Sequence, residues 1–348
     1  MTRHSRRWLI LLCVAQMAVS AAMLETLGKA RGWGLFRGED SEGYELVARW
    51  ATGEVVPEAD QPALRYRLFN PVLPVLAGWW GEVVGLEWAF LTINVAAWIL
   101  GTLAVRRFAA GLWGDEVGFV AAALYATSLP LIEWGLPMML DAAAFAFTAA
   151  FLAEWVRRPE ATVRFGAWLA LGVLLKPPLL CLVLFAGLSC ALDRRWRRGA
   201  LIGGLATGLV LATYAALGLT WQDFARFGEP RHRGLAYLAT AGFFAFHGLA
   251  IAALFQAPRE PATRRRVWLA YLVASLATFL PFVHSPRLAF QTFAAVLPLA
   301  AAWIVGRSAP IRWVVAAIAG SNLLAAAHLF VMRRLEIRDL ASLWERLR

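Results

Sequence analysis

The sequence predicts an all-α membrane protein that crosses the bilayer about eleven times. Sixty per cent of the 348 residues are hydrophobic and only 16% are charged, whereas soluble domains carry about 25% charged residues. The mean hydropathy is +0.59, and apolar runs of helix length recur along the chain. They show no strand-like alternation of apolar and polar residues. We therefore expect a single transmembrane domain over residues 1–348.

The first apolar run, Trp8–Leu27, is 20 residues long and follows Arg3, Arg6 and Arg7. A helix of that length extends about 30 Å, which matches the hydrocarbon thickness of a bilayer. The run is too long for the apolar region of a signal peptide and no small-residue cleavage site follows it, so we expect a retained helix. The polar stretch after it, residues 28–68, is then a first extracytoplasmic loop of 41 residues that opens with an acidic cluster.

Eight further apolar runs are expected to cross the membrane, and two others are irregular. Phe165–Leu192 is interrupted by Lys176-Pro177-Pro178, which leaves arms of about 11 and 14 residues. Such arms are too short for full crossings, so we expect either two shortened helices or a re-entrant pair. Phe69–Leu86 contains prolines, glycines and Glu82 and is expected to lie on the outer surface. The eight predicted spans are Trp88–Val105, Val117–Gly135, Met138–Val156, Gly199–Leu219, Leu235–Gln256, Val267–Val283, Leu288–Val305 and Trp313–Val331.

The distribution of basic residues orients the chain. With a cytoplasmic N-terminus, eighteen arginines fall in the interior segments and five basic residues in the short outer loops. The positive-inside rule favours this arrangement. The net charge of +11 therefore reflects topology rather than nucleic-acid binding, because the basic residues form short clusters between apolar runs. The tail 332–348 is basic but ends outside in this arrangement, against the rule. Its leucines suit an amphipathic helix on the membrane surface, and a miscounted span near the end would explain the tail equally well.

Acidic side chains collect on the predicted outer side. Glu39, Asp40 and Glu42 follow the first helix, and Asp141 begins an otherwise apolar helix. The helix dipole alone stabilises a carboxylate at that position. An ionisable group near the hydrocarbon boundary is nevertheless a functional candidate by default.

Two cations occupy the same predicted side. Lys176 lies at the tip of the interrupted helix pair, and Arg287 stands between two apolar runs. A lysine at a helix end often only extends its ammonium group to the membrane surface. The alternative is that truncated helices create a cavity in which the cation meets an anion. Two cations with two or three carboxylates suit a phosphate-bearing ligand together with an acid/base group.

In order and spacing, these motifs resemble the GT-C class of membrane glycosyltransferases, akin to bacterial protein mannosyltransferases and lipid A aminoarabinose transferases. The run Asp40-Ser41-Glu42-Gly43-Tyr44 is similar to the acidic signature after that family's first helix. The run Arg67-Leu68-Phe69-Asn70-Pro71 is similar to its entry into an outer helix. Asp141 matches the second-loop carboxylate, Lys176 the lysine of the short helix pair, and Arg287 the arginine before a late helix.

The resemblance implies inverting transfer of a hexose or pentose from a polyprenyl-phosphate donor, on the extracytoplasmic face of a bacterial inner membrane. The acceptor is a lipid, a glycan or a protein, and no nucleic acid is involved. Asp40 acts as the base on the acceptor hydroxyl, or holds that hydroxyl through a divalent metal ion, the only cofactor implied. The implied catalytic residues are Asp40 and Asp141, with Glu39 and Glu42 as alternative acids, and the implied phosphate-binding residues are Lys176, Arg287 and Arg67.

Two features depart from the family pattern. Pro177-Pro178 replaces the usual residues after the lysine, and we expect no large soluble C-terminal domain. A transporter or lipid flippase is the alternative function, since such proteins also use intramembrane charges and broken helices. The sequence contains no inverted repeat, and its charges gather near one face rather than at the midplane.

Overall fold

The computed structural model describes residues 3–31, 40–128, 131, 135–158, 160–220, 222–223, 253, 255–279 and 293–306. In the first helix the description of side chains is confined to residues 7–22. Regular structure in this part of the chain is helical throughout, as the sequence predicts. The twelve α-helices described are α1 (Arg3–Arg31), α2 (Ser41–Ala51), α3 (Gln61–Arg67), α4 (Val72–Val84), α5 (Leu86–Trp113), α6 (Asp115–Ala126), α7 (Asp141–Arg157), α8 (Thr162–Leu175), α9 (Leu180–Leu192), α10 (Trp196–Ala216), α11 (Ala262–Phe279) and α12 (Phe293–Gly306).

Glycines at positive φ form the two tight corners of α5. Gly85 (φ 87°) separates α5 from α4, and Gly114 (φ 94°) separates it from α6. Side chains with a Cβ disfavour this backbone conformation, so glycine allows one helix to end and the next to begin within a single residue. Within α5, Gly101 allows close packing on both neighbours, because a Cβ added there would lie 2.4 Å from the Tyr125 hydroxyl of α6 and 3.1 Å from Ala146 of α7.

The helices α7 to α10 alternate in direction between two ends of the bundle. Asp141 at the start of α7 pairs with Lys176 at the end of α8. At the opposite end, Glu160 in the α7–α8 turn pairs with Arg195 in the α9–α10 turn. We call the end that holds Asp141 and Lys176 the site end. Because α10 starts opposite to it, the C-terminus of α10 returns to the site end, where Tyr214 donates a hydrogen bond to the Phe69 carbonyl.

Several helix bounds differ from the predicted spans. The predicted span Val117–Gly135 is helical in α6 only as far as Ala126, and α7 begins at Asp141 rather than at Met138. Residues 135–140 form bends. Pro137 accounts for the late start of α7, because proline disfavours helical backbone at the residue before it.

The two irregular runs form short helices, as expected. Phe69–Leu86 contains α4, whose 13 residues extend about 20 Å and are too short for a full crossing. The run Phe165–Leu192 is divided into α8 with 14 residues and α9 with 13. A 3-10 turn over Pro177–Leu179 joins them. The predicted first loop is more regular than expected, since its described part contains α2 and α3.

By length and composition, α5 and α10 are the two described helices able to cross a membrane, and five shorter apolar helices accompany them, one of which is the part of α1 with described side chains, Arg7–Ala22. The count of eleven crossings and the orientation of the chain stay predictions. The predicted span 313–331, the tail 332–348 and most of the span 235–256 lie outside the described residues.

Candidate active site

Asp40 and Arg67 form an ion pair between the start of α2 and the end of α3. The Arg67 Nη2 lies 2.7 Å from Asp40 Oδ1, and each side chain is 18% exposed. The Arg67 guanidinium also lies over the rings of Tyr44 and Tyr66, 4.9 and 5.1 Å from their centroids. Tyr44 follows Asp40 by one helical turn, so both side chains reach the same arginine. The two sequence motifs around Asp40 and Arg67 therefore meet in one cluster.

Gly43 gives the Arg67 side chain its path across α2. A Cβ at Gly43 would lie 2.6 Å from Arg67 Nε and 2.8 Å from Arg67 Cγ, closer than any stable packing contact. Burial lowers the pKa of the Arg67 guanidinium, but the net shift is upward because Tyr44 and Asp40 lie close to it. The guanidinium is therefore held as a cation beside the predicted base.

Asp141 and Lys176 form a second acid–cation pair, which is almost completely buried. The Lys176 ammonium donates a hydrogen bond to Asp141 Oδ1, and the two side chains are 10% and 2% exposed. Lys176 has extended backbone (φ −159°) because the two following prolines end α8 at Leu175. A buried charge requires a partner of opposite sign, and these two residues, 35 positions apart, supply one another's.

A short non-helical segment, residues 136–140, connects the two pairs. Asn94 in α5 donates from Nδ2 to the carbonyls of Pro137 (2.7 Å) and Met139 (3.2 Å). Ser41, the neighbour of Asp40, donates from Oγ to the Met138 carbonyl at 3.2 Å. Three successive carbonyls, the last of them two positions before Asp141, are thus bonded by side chains from two helices.

Arg65 holds α3 to the site end of α10. Its guanidinium contacts both carboxylate oxygens of Asp223 at 3.0 and 2.7 Å and the Gly218 carbonyl at 2.7 Å. Thr220 donates to Asp223 from its backbone N–H and from its hydroxyl. The hydrogen bond from Arg65, followed by those from Thr220, holds the pKa of Asp223 well below its usual range. Arg65 and Asp223 therefore form a bidentate ion pair. Arg65 lies two positions before Arg67, so this pair fixes the helix that carries Arg67.

The remaining predicted site residues are placed as follows. Glu42 is exposed and has no ion-pair partner among the described residues. Glu39 and Arg287 lie outside the described residues. The described part of the chain contains no group of three side chains suited to hold a metal ion, and Asp40 and Asp141 each contact a cation instead. Metal dependence stays a prediction.

Sequence reasoning missed the contacts that organise the site. Asn94 is an amide inside an otherwise apolar run, which was a signal because buried amides in membrane helices need partners. Gly43 stands inside the acidic motif, but its steric role depends on the path of Arg67. The pairing of Arg65 with Asp223 spans 158 positions and has no local signal.

The chain matches no protein-family model and no curated protein sequence. It is similar in structure to ArnT from Cupriavidus metallidurans bound to undecaprenyl phosphate, with a TM-score of 0.58 and 19% identity, over 86% of this chain and 60% of that one. It is also similar to the oligosaccharyltransferase AglB from Archaeoglobus fulgidus in complex with an inhibitory peptide and a dolichol phosphate, with a TM-score of 0.56 and 15% identity, over 94% of this chain and 56% of that one.

A further structure of the Archaeoglobus fulgidus oligosaccharyltransferase, in complex with Zn and sulfate, gives a TM-score of 0.54 at 16% identity, over 91% of this chain and 52% of that one. The match with ArnT spans 60% of the ArnT chain, so the likeness covers part of that protein. At these identities the likeness concerns the fold. The chain has the fold of the GT-C class of membrane glycosyltransferases.

Proposed function

We propose that this chain is a membrane glycosyltransferase that moves a sugar from a polyprenyl-phosphate donor to an acceptor on the extracytoplasmic face. The observation that carries the proposal is the pair of acid–cation contacts, Asp40 with Arg67 and Asp141 with Lys176, at one end of a GT-C fold. Solved structures with this fold are bound to undecaprenyl phosphate or a dolichol phosphate. Cations at this end suit the phosphate, and carboxylates suit the acceptor hydroxyl.

The proposed step is a single displacement at the anomeric carbon. The acceptor oxygen forms a bond to that carbon while the bond from the carbon to the phosphate oxygen breaks. Asp40 takes the proton of the acceptor hydroxyl, and the polyprenyl phosphate leaves with the bonding electrons. Attack from the side opposite the phosphate inverts the configuration of the sugar.

Arg67 and Lys176 stabilise the negative charge that develops on the departing phosphate, together with Arg287. In a site with little water such stabilisation is commonly the largest catalytic contribution, and loss of one donor costs about 10²–10³ in rate. Both described cations already contact a carboxylate. We infer that the donor phosphate exchanges with those carboxylates, which leaves Asp40 available to the acceptor. Asp141 then orients the acceptor, and no step is assigned to a metal ion.

The test is to incubate the purified protein with a panel of polyprenyl-phosphate-linked hexoses and pentoses and to measure release of polyprenyl phosphate. Candidate lipid, glycan and peptide acceptors are supplied in parallel. Release that depends on an acceptor supports the proposal and identifies the sugar. Movement of the intact donor across a liposome membrane, without cleavage, would instead identify a flippase and contradict it.

A further inference from the structure

We propose that Asn94 is a positioning residue that, together with Ser41, fixes the two acids of the site relative to one another. The inference rests on the proposed glycosyl transfer. Asn94 has no chemical step of its own in that reaction and acts only through the placement of Asp40 and Asp141. It concerns residues 137–139, which we call the bracket segment. This segment is bonded by Ser41, the neighbour of Asp40, and it precedes Asp141 in the chain.

The bracket segment is buried but not helical. Met138 and Met139 are 1% and 2% exposed, and the segment has no regular helix hydrogen bonds, since α7 starts only at Asp141. Backbone carbonyls away from water must find partners within the protein, particularly at membrane depth. The Pro137 carbonyl accepts one hydrogen bond within the segment, from the Met139 N–H at 2.6 Å. The bonds that tie the segment to neighbouring helices come from the side chains of Ser41 and Asn94.

Asn94 supplies two of these bonds and Ser41 the third. Asn94 is fully buried, and its Nδ2 reaches the carbonyls on either side of Met138 at 2.7 and 3.2 Å. Ser41 reaches the Met138 carbonyl itself at 3.2 Å. Asp40 directly precedes Ser41, and Asp141 lies two positions after the last residue of the bracket segment. The bracket segment thus connects α2, which begins next to Asp40, with Asp141.

The consequence is that Asn94 sets the placement of Asp141 relative to Asp40 from a distance. A displacement of about 1 Å in a reacting group can reduce turnover about 100-fold. Removal of both donors in Asn94→Leu should therefore lower kcat at least tenfold, whereas KM for the donor should change less than about twofold, because Asn94 does not touch the phosphate cations.

Thr102 provides the matched control on the same helix. Its buried hydroxyl donates to the Trp98 carbonyl of α5 and accepts from the Cys13 thiol of α1 at 3.4 Å. Thr102→Val therefore removes buried hydrogen bonds of the same helix, none of which involves the bracket segment. Thr102→Val should leave kcat within about twofold of wild type, although it should lower thermal stability about as much as Asn94→Leu does. Ser41→Ala removes the third bond separately, and its effect should be non-additive with that of Asn94→Leu.

The experiment measures kcat and KM, on a polyprenyl-phosphate sugar that the wild type uses, together with amide hydrogen exchange of the peptide that contains residues 135–141. Faster exchange in Asn94→Leu but not in Thr102→Val, with a loss confined to kcat, supports the inference. Unchanged exchange in both Asn94→Leu and Ser41→Ala overturns it, as does an equal loss of kcat in Thr102→Val. If Asn94→Leu does not fold, Ser41→Ala alone decides by the same criteria. A wild type without turnover contradicts the proposed function, and the exchange data then still decide whether Asn94 holds the segment.

Discussion

Lys176, just after the end of α8, and Asp141, at the start of α7, bury their opposite charges against one another at the site end, with side chains 10% and 2% exposed. The family resemblance assigned these residues separate roles, with Lys176 binding the donor phosphate and Asp141 as a catalytic acid. Their contact means that either role begins from a paired state. A ligand phosphate must offer the lysine at least as favourable a partner as the carboxylate that it replaces.

Loss of one partner of this pair should be more harmful than loss of both. Lys176→Gln leaves a buried carboxylate without its cation, which should lower the free energy of unfolding by roughly 3–5 kcal/mol. The double variant Asp141→Asn/Lys176→Gln removes both charges and should recover most of that loss. Thermal unfolding in detergent measures both. Glu160→Gln, at the exposed pair with Arg195, serves as the control and should leave stability nearly unchanged.

Variants of the same pair test whether Lys176 binds the phosphate of the lipid donor. Asp141→Asn releases Lys176 from its carboxylate, so undecaprenyl phosphate should raise the unfolding temperature more in this variant than in the wild type. The double variant should gain least, because it lacks the cation. Equal gains in all three proteins would mean that Lys176 does not contact the lipid phosphate.

Gly43→Ala should impair the site through Arg67. Alanine is favoured over glycine in a helix by about 1 kcal/mol, so the change stabilises α2 unless the new methyl group meets an obstacle. Here it would lie 2.6 Å from Arg67 Nε and should move the guanidinium away from Asp40. We expect turnover to fall at least about tenfold. Gly208→Ala in α10, where a Cβ meets nothing within 4 Å, is the control and should retain wild-type turnover.

The ion pair between Arg65 and Asp223 should make stability depend on pH in acid. The folded-state pKa of Asp223 is lowered, first by the Arg65 hydrogen bond and then by Thr220, whereas an aspartate in the unfolded chain titrates near about 3.9. The stabilisation is therefore complete above about pH 5 and decreases as the pH falls below about 4. Asp223→Asn should unfold at a lower temperature than wild type at pH 7, and the difference should shrink as the pH is lowered towards 3. A constant difference across this range would contradict the role of the charge.

The sequence predicted the elements of this site better than their contacts. Hydropathy located α5 and α10, proline chemistry placed the break at Lys176, and the single acid in an apolar run singled out Asp141, although the predicted span began three residues before it. These features depend on neighbouring residues. The partners of Arg65, Asn94 and Asp141 lie 35 or more positions away and are chosen by helix packing, which local patterns do not specify. The α2 and α3 helices were also missed, because they are short, with 11 and 7 residues, and lie inside a polar stretch that was taken as one loop.

The predicted orientation can be tested by cysteine labelling, since the native Cys13, Cys181 and Cys190 are all buried. Val55, which is 90% exposed, lies in the predicted outer loop, and Asp193 is an exposed residue of the α9–α10 turn. A membrane-impermeant maleimide added to intact cells should modify Val55→Cys and not Asp193→Cys. Labelling of Asp193→Cys from outside would reverse the assigned orientation of the middle of the chain.

The most direct test of the account is the release of polyprenyl phosphate by Asp40→Asn. Asparagine preserves the size of the side chain but not its ability to accept the acceptor proton, so transfer should be lost while undecaprenyl phosphate still binds. Glu42→Gln and Glu39→Gln are measured beside it and should retain turnover. Loss of turnover in one of these with an active Asp40→Asn would move the base to the neighbouring acid. Wild-type release by all three variants, and by Asp141→Asn, would contradict acid–base chemistry at this end of the fold.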